Sequence, residues 1–347
     1  MRIVVVDVAA KLGGALSILK DFYNYVKTND TDNEWIFLVG GHYLEETENI
    51  KIEIIPNISQ NHIRRLLFDN ITGKKIIMKY KPDVVFSLQN TMPRGLDTRQ
   101  VLYIHQAIPF QTVKKFSFLK KNERNYAIYQ YIIGGMIKHS IHKCDQIISQ
   151  TQWMKRAIIE QTGKNAEKIH VVYPNVPVVV PNRSAQWSHD SFFFPGFDGI
   201  YKNVGCLDRA VMILQKNGYS PDVSVTMEPG KYDGRIHGIG RIEREEVVYR
   251  YCIGTLVFPS FVESCPLPLL EARMAGTVIL ASDCPFSREI LAGYENAYFF
   301  DPFKPEELAA LMEDVLVGRI VKQEVRITPY SEKGSWKELI DILERMK

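Results

Sequence analysis

The chain has 347 residues, 46% of them hydrophobic and 24% charged, with a formal net charge of only +3. Such a length exceeds one ordinary domain and fits two of about 150 residues each, with a soluble globular composition. The five cysteines, an odd number, form no C-x-x-C pair, which argues against a disulfide framework or a zinc site and for a reducing cytoplasm. No apolar run approaches the ~18 residues that a membrane span needs.

Charge is unevenly spread. Residues 60–145 carry 15 Lys/Arg against 5 Asp/Glu, while the remainder is net negative. The asymmetry points to an anionic partner for the first half. A membrane surface or a lipid pyrophosphate suits it better than nucleic acid, and a solvated basic face is the plain alternative.

The opening MRIVVVDVAA reads as a buried first strand rather than a signal peptide, because Lys11-Leu12-Gly13-Gly14 interrupts it without a small-residue cleavage site. An amphipathic helical pattern follows in Leu16, Leu19, Phe22, Tyr23 and Val26. Strand, Gly-Gly loop, helix is an arrangement that lets backbone approach a ligand closely. Strands are expected at Trp35–Val39 and Ile52–Ile55, and a helix from about Ile63 to Tyr80 that stops before Pro82. Asp83–Ser87 and Val101–Ile104 continue the alternation of a parallel sheet with helices on both faces. His105 stands directly after the latter strand, where such sheets place ligands. Phe110 to Lys121 mixes four lysines with Phe116, Phe118 and Leu119. That mixture suits a membrane-interface segment and equally a loop over an acceptor cleft. A long helix from about Asn125 to Lys143, a strand at Asp145–Ser149 and a helix through Ile159 complete the first half. The Pro/Asn-rich run from Pro174 to Arg183 is the best linker in the chain.

The second half begins with a strand at Phe192–Phe194, then Pro195-Gly196, Tyr201-Lys202-Asn203 and a helix through Leu214. Further strands are expected at Val223–Thr226 and Ile236–Ile242, and a helix at Glu245–Tyr251. The most informative stretch is VFPSFVESCPLPLLEARMAG, residues 257–276. It joins a buried strand, a polar turn and a proline-opened helix, with Glu263 and Glu271 separated by seven residues. A carboxylate accepts two hydroxyls at once, which suits vicinal diols. A helix N-terminus at that sheet edge favours phosphate. Together they indicate a nucleotide-sugar site.

This E-x7-E stretch, with Pro259-Ser260 before it and Glu271-Ala272 within it, resembles the signature of retaining family 4 (group 1) glycosyltransferases. The similarity continues through Ala275-Gly276, Ala281-Ser282-Asp283, Arg288-Glu289-Ile290 and Asp301-Pro302. The resemblance implies a GT-B fold, with two Rossmann-like doubly wound domains and a C-terminal helix crossing back. The implied domains are 1–175 for the acceptor, 176–325 for the nucleotide sugar, and 326–347 for the returning helix. It implies that Glu263 holds the donor sugar's hydroxyls and Glu271 the ribose, with Ser264, Cys265 and Leu267 on the phosphate-facing turn. Lys202 matches a lysine directed at the donor diphosphate. The family's arginine position is occupied by Phe197, leaving Arg241 as the candidate replacement. Gly240-Arg241-Ile242 matches a turn lining the base. Gly13, Gly14 and His105 match positions against donor or acceptor. Pro266 lacks an N–H and cannot donate to a phosphate.

The expected activity is sugar transfer from a nucleoside-diphosphate sugar to an acceptor hydroxyl, with retention and without a metal. The expected acceptor is a saccharide or lipid-linked saccharide of cell-surface polysaccharide or glycolipid assembly. The expected location is the cytoplasm, or the inner face of the membrane as a peripheral protein. Rival readings are an epimerase or phosphorylase of similar fold, or a catalytically silent nucleotide-sugar-binding subunit.

Overall fold

In a computed structural model, the described residues are all except 12, 57, 59–61, 176–178, 180–184, 231, 233, 326–334 and 347. They fall into two compact units. Most of the expected linker, and the expected boundary at 325/326, lie outside the described residues.

The first unit holds a seven-stranded sheet. Its strands are β1 (Arg2–Asp7), β2 (Glu34–Val39), β3 (Ile50–Ile54), β4 (Val84–Ser87), β5 (Arg99–Ile104), β6 (Gln146–Ser149) and β7 (Ile169–Val171). All pair in parallel, in the order β3-β2-β1-β4-β5-β6-β7. Continuous apolar runs such as Ile3–Val6 are what a sheet covered on both faces requires. Along β1, Ile3 and Val5 share one face and lie in register with Trp35 and Phe37 of β2 and with Val84 and Phe86 of β4. Helix α1 (Gly13–Asn29) lays Leu19, Phe22, Tyr23 and Val26 on that face. The ring of Phe22 sits 5.6 Å from Trp35 and 5.4 Å from Phe86.

Gly13 and Gly14 open α1 rather than forming a separate loop before it, with Gly13 at φ +66°. The two long helices expected at 63–80 and 125–143 are each interrupted by a π-helical turn. The first runs as α2 (His62–Leu67), the π-turn Phe68–Thr72 and α3 (Gly73–Met78). The second runs as α4 (Arg124–Ala127), the π-turn Ile128–Ile133 and α5 (Gly134–Lys143). Each π-turn ends on a glycine pressed against a proline: a Cβ on Gly73 would lie 3.0 Å from Pro93, and one on Gly134 2.9 Å from Pro109. Helix α6 (Gln152–Thr162) links β6 to β7.

The second unit repeats the plan with six strands: β8 (Ser191–Phe194), β9 (Asp222–Val225), β10 (His237–Gly238), β11 (Thr255–Phe258), β12 (Ile279–Ser282) and β13 (Ala297–Phe300). Their order is β10-β9-β8-β11-β12-β13, again parallel throughout. The strand expected over 236–242 is only two residues long, because the chain turns at Gly240 with φ +67°. Its helices are α7 (Val204–Lys216), α8 (Arg244–Ile253), α9 (Leu267–Met274), α10 (Pro285–Ile290) and α11 (Pro305–Leu316).

The final helix, α12 (Trp336–Glu344), belongs to the first unit. Trp336, Leu339, Ile340, Ile342 and Leu343 join the core beneath α1. The Trp336 ring meets Phe22 at 5.1 Å and its Nε1 donates to Asp21 Oδ2 at 2.7 Å.

Candidate active site

Both sheets reverse their strand order once, and that reversal opens a crevice at the C-terminal strand ends. In the second unit it lies between β8 and β11, which pair side by side. The chain leaves β8 through Pro195-Gly196-Phe197 and makes a 3-10 turn, Ile200–Lys202. It leaves β11 through the polar turn that carries Glu263 and enters α9 at Pro266.

These two exits meet in an ion pair. Lys202 Nζ donates to Glu263 Oε1 at 2.6 Å, with the two side chains only 11% and 15% exposed. The ammonium also lies 5.0 Å from the centre of the Phe197 ring and 5.4 Å from that of Tyr201. Phe197, standing where the family has an arginine, therefore presents an aromatic face to the same cation. Asn203 holds the turn in place. At φ +57° its side-chain amide donates to Pro259 O at 3.2 Å and Pro302 O at 2.7 Å, the exits of β11 and β13. Phe261 N donates to Tyr201 O at 2.9 Å, fastening the two loops directly.

Glu271 lies on α9, eight residues beyond Glu263 in the chain. Burial pushes its carboxyl above the usual range, and the Arg244 guanidinium, at 3.3 Å, pulls it back. The buried Tyr251 hydroxyl lies near Glu271 without closing a well-formed hydrogen bond. Ser264, Cys265 and exposed Leu267 occupy the turn between the two glutamates. Burial raises the Cys265 thiol, with Glu289 and Glu263 adding to the effect, so it stays protonated.

Arg241 lies in the turn that precedes α8. It is exposed and makes no ion pair among the described residues, and Ile242 beside it is half-buried. The cation that reaches a site carboxylate is Arg244, three residues on, at the start of α8. Sequence reading missed it because Arg241 and Arg244 flank one turn, and only the helix start decides which points at α9.

Gly13, Gly14 and His105 belong to the first unit. Gly13 and Gly14 are exposed, and a Cβ on either would meet nothing within 4 Å. His105 follows β5, its backbone amide fixed by Asn90 Oδ1 at 2.7 Å. Burial, with Arg65 nearby, lowers its imidazole to about 4, so it is neutral at ordinary pH. Among the described residues no group of three or more His, Cys, Asp or Glu is placed to hold a metal ion.

Two doubly wound parallel units, the second with a Lys–Glu pair at its switch point, have the architecture of the GT-B fold. Residues 30–179 match the pattern of Glycosyltransferase Family 4, and residues 231–334 that of Glycosyl transferases group 1. The chain belongs to this group 1, family 4 class of glycosyltransferases. A curated relative, the O-antigen chain mannosyltransferase RfbU of Salmonella typhimurium, is 20% identical over 272 residues, covering 72% of this chain and 71% of that one. Among solved structures, Anabaena HepE in complex with UDP-glucose superposes with a TM-score of 0.66 at 14% identity, over 99% of this chain and 100% of that chain. The apo form of the lipopolysaccharide outer core galactosyltransferase WaaB gives 0.60 at 16% identity, over 100% and 95%.

Proposed function

We propose that this glycosyltransferase moves a hexose or related sugar from a nucleoside-diphosphate sugar to a saccharide hydroxyl, with retention, in cell-surface polysaccharide or glycolipid assembly. The observation that carries the reading is the pair of cation-matched glutamates: Glu263 held by Lys202 and Glu271 by Arg244, at one strand-order reversal. The UDP-glucose bound to HepE and the O-antigen chain named for RfbU support the donor and acceptor classes.

In this reading the second unit holds the donor and the first unit the acceptor. Glu271 accepts the ribose hydroxyls and Glu263 those of the donor sugar. Lys202 exchanges part of its contact with Glu263 for the departing diphosphate, whose negative charge grows as the C1–O bond breaks. The sugar passes through an oxocarbenium-like state, and the departing diphosphate takes the acceptor's proton. No metal takes part. The main-chain N–H groups of Cys265 and Leu267 supplement Lys202 at the diphosphate.

The protein works at the cytoplasmic face of a membrane, as a peripheral protein. Support comes from Leu119, 92% exposed, flanked by exposed Phe118 and by Tyr131 and Ile132, amid Lys114, Lys115 and Lys120. Phe116 is not part of that surface: it is buried and stacked on Tyr126. No helix among the described residues is long and apolar enough to cross a membrane.

The test is thermal unfolding with UDP, GDP, ADP, dTDP or CMP, on wild type and Glu271→Ala. A ligand at ~100 times its dissociation constant stabilises by about 2.7 kcal/mol. One nucleotide should shift wild type and not the variant. Absence of any shift would sink the donor assignment, and binding without turnover would mark a silent subunit.

A further inference from the structure

We infer that Arg244 and Tyr251, two turns apart on one side of α8, are positioning residues: they grip Glu271 and leave its carboxylate two open acceptor places, the complement of a vicinal diol. The grip and the diol stand on geometry; that the diol belongs to a nucleotide ribose rests on the function proposed above.

Arg244 opens α8, and a spacing of seven residues brings Tyr251 to the same side of that helix. Glu271 stands on the neighbouring α9. Arg244 Nη2 lies 3.3 Å from Glu271 Oε1, with the two side chains 39% and 15% exposed. Tyr251 is 1% exposed, and its hydroxyl has no hydrogen-bond partner among the described residues. Burial, and then the Glu271 charge, push that phenol well above the usual tyrosine range. A buried hydroxyl left in this state is rare in a protein interior. Packing fixes its ring, which lies 6.0 Å from that of Phe193 on β8. The Tyr251 carbonyl accepts from Thr277 Oγ1 at 2.7 Å, which ties the end of α8 to the chain entering β12.

The other charges around α9 are engaged elsewhere. On α8, Arg250 Nε pairs with Glu246 at 2.8 Å and its Nη1 donates to Ser224 Oγ, while Glu245 is exposed. On α9 itself, Arg273 donates to Ile290 O. On α10, Arg288 holds Asp283 at 2.6 and 2.7 Å, and Glu289 acts on the Cys265 thiol. In the preceding turn Glu263 is held by Lys202. Strand β12 carries no titratable side chain. What reaches Glu271 among the described residues is one guanidinium and one phenol.

The two partners do different work. Burial favours the protonated acid, whose O–H donates and so accepts less well. The Arg244 charge opposes that burial and keeps Glu271 a carboxylate. Tyr251 comes from the protein interior and, as a neutral phenol, has a hydrogen to give to an acceptor. Donation to Glu271 satisfies the hydroxyl that is otherwise orphaned. A carboxylate offers about four lone-pair places. Arg244 and Tyr251 account for two, and the two that remain match a pair of neighbouring hydroxyls. Without Arg244 the acid holds its proton to higher pH, and diol binding fails at correspondingly higher pH.

The test has a ligand-free arm and a nucleotide arm, both on the full chain. NMR of isotope-labelled glutamate carboxyls follows Glu271, identified as the resonance absent from Glu271→Gln. Arg244→Met should raise its titration midpoint by about one pH unit or more. Arg244→Lys should restore most of that shift, and Tyr251→Phe should raise the midpoint by a smaller step. UDP, GDP and ADP, each with its 2′-deoxy counterpart, are then titrated calorimetrically between about pH 5 and 8. For a nucleotide that binds wild type, the acid limb of its affinity should move with the midpoint, and its deoxy counterpart should bind roughly tenfold more weakly. In a Glu271→Gln background Arg244→Met should change nothing further, which a merely structural role would not produce. If Arg244→Met does not fold, Tyr251→Phe decides. A midpoint unmoved by Arg244→Met and Tyr251→Phe, an Arg244→Lys variant that titrates like Arg244→Met, or equal affinity for ribose and deoxyribose would overturn the inference. Failure of all three nucleotides to bind wild type, with the midpoint moving as expected, would sink the donor assignment alone.

Discussion

Asp7 allows a sharp test through the pH dependence of stability. Burial raises its carboxyl from 3.8 to about 7, with Arg65 and the Ala10 amide opposing only in part. The native state therefore holds a proton that the unfolded chain releases at lower pH. The stability tied to that proton is whole below 3.8 and is lost as pH rises to about 7. One pH unit of this mismatch is worth about 1.4 kcal/mol. Between pH 5 and pH 8 wild type should lose about 2–3 kcal/mol that Asp7→Asn, permanently neutral, does not lose. For a unit of this size each kcal/mol moves the melting temperature by about 2–4 °C. The variant's advantage should thus grow by about 5–10 °C between those pH values. The imidazole of His105, held near 4, is neutral in the native state across that window but protonates in the unfolded chain below about 6.5; taking the difference between variant and wild type cancels its contribution along with the other groups. Differential scanning calorimetry at pH 5, 6, 7 and 8 measures it. A variant-minus-wild-type difference that stays flat with pH would refute the claim that Asp7 is a buried, largely unpaired acid.

Lys202→Met should leave Glu263 buried without its cation, lowering stability by about 1–3 kcal/mol and kcat more than KM. Adding Glu263→Gln should recover much of the stability and none of the turnover, which denaturant titration and initial rates would separate. Trp336→Ala removes a core ring and the bond to Asp21, and should cost about 3–5 kcal/mol in urea unfolding of the first unit. Replacing Leu119 by Ser and Lys114, Lys115 and Lys120 by Ala should release the protein from anionic vesicles in co-sedimentation, and leave nucleotide binding unchanged. Equal retention by neutral vesicles would refute the charge contribution.

Much of this was legible in the sequence where local pattern and chemistry coincide. The strand at Thr255–Phe258, the polar turn with Glu263 and the proline-opened helix with Glu271 read directly, because buried parallel strands are uninterrupted apolar runs. Asp7 was hidden for the same reason: it ends the run RIVVVD, and its isolation depends on how Arg65 is shared with Asp69, a matter of tertiary packing. The π-turns were illegible too. The stretches 63–80 and 125–143 keep helical periodicity, and the close neighbours of the glycines that end the two π-turns, Pro93 and Pro109, are distant in sequence. The pairing of Arg244 with Glu271 was likewise not legible, since it depends on where α8 starts relative to α9.

The return of α12 to the first unit sets an order on biosynthesis. Residues 1–175 leave the ribosome roughly 160 residues before Trp336 does. At 5–20 residues per second that is on the order of 10–30 seconds. Throughout that interval the groove formed by Phe22, Phe86 and Tyr103 waits without its last helix, an apolar surface on an otherwise nearly finished sheet. The nascent chain therefore offers chaperones a defined, transient target, and slow codons between the two units would prolong its exposure rather than help the first unit mature.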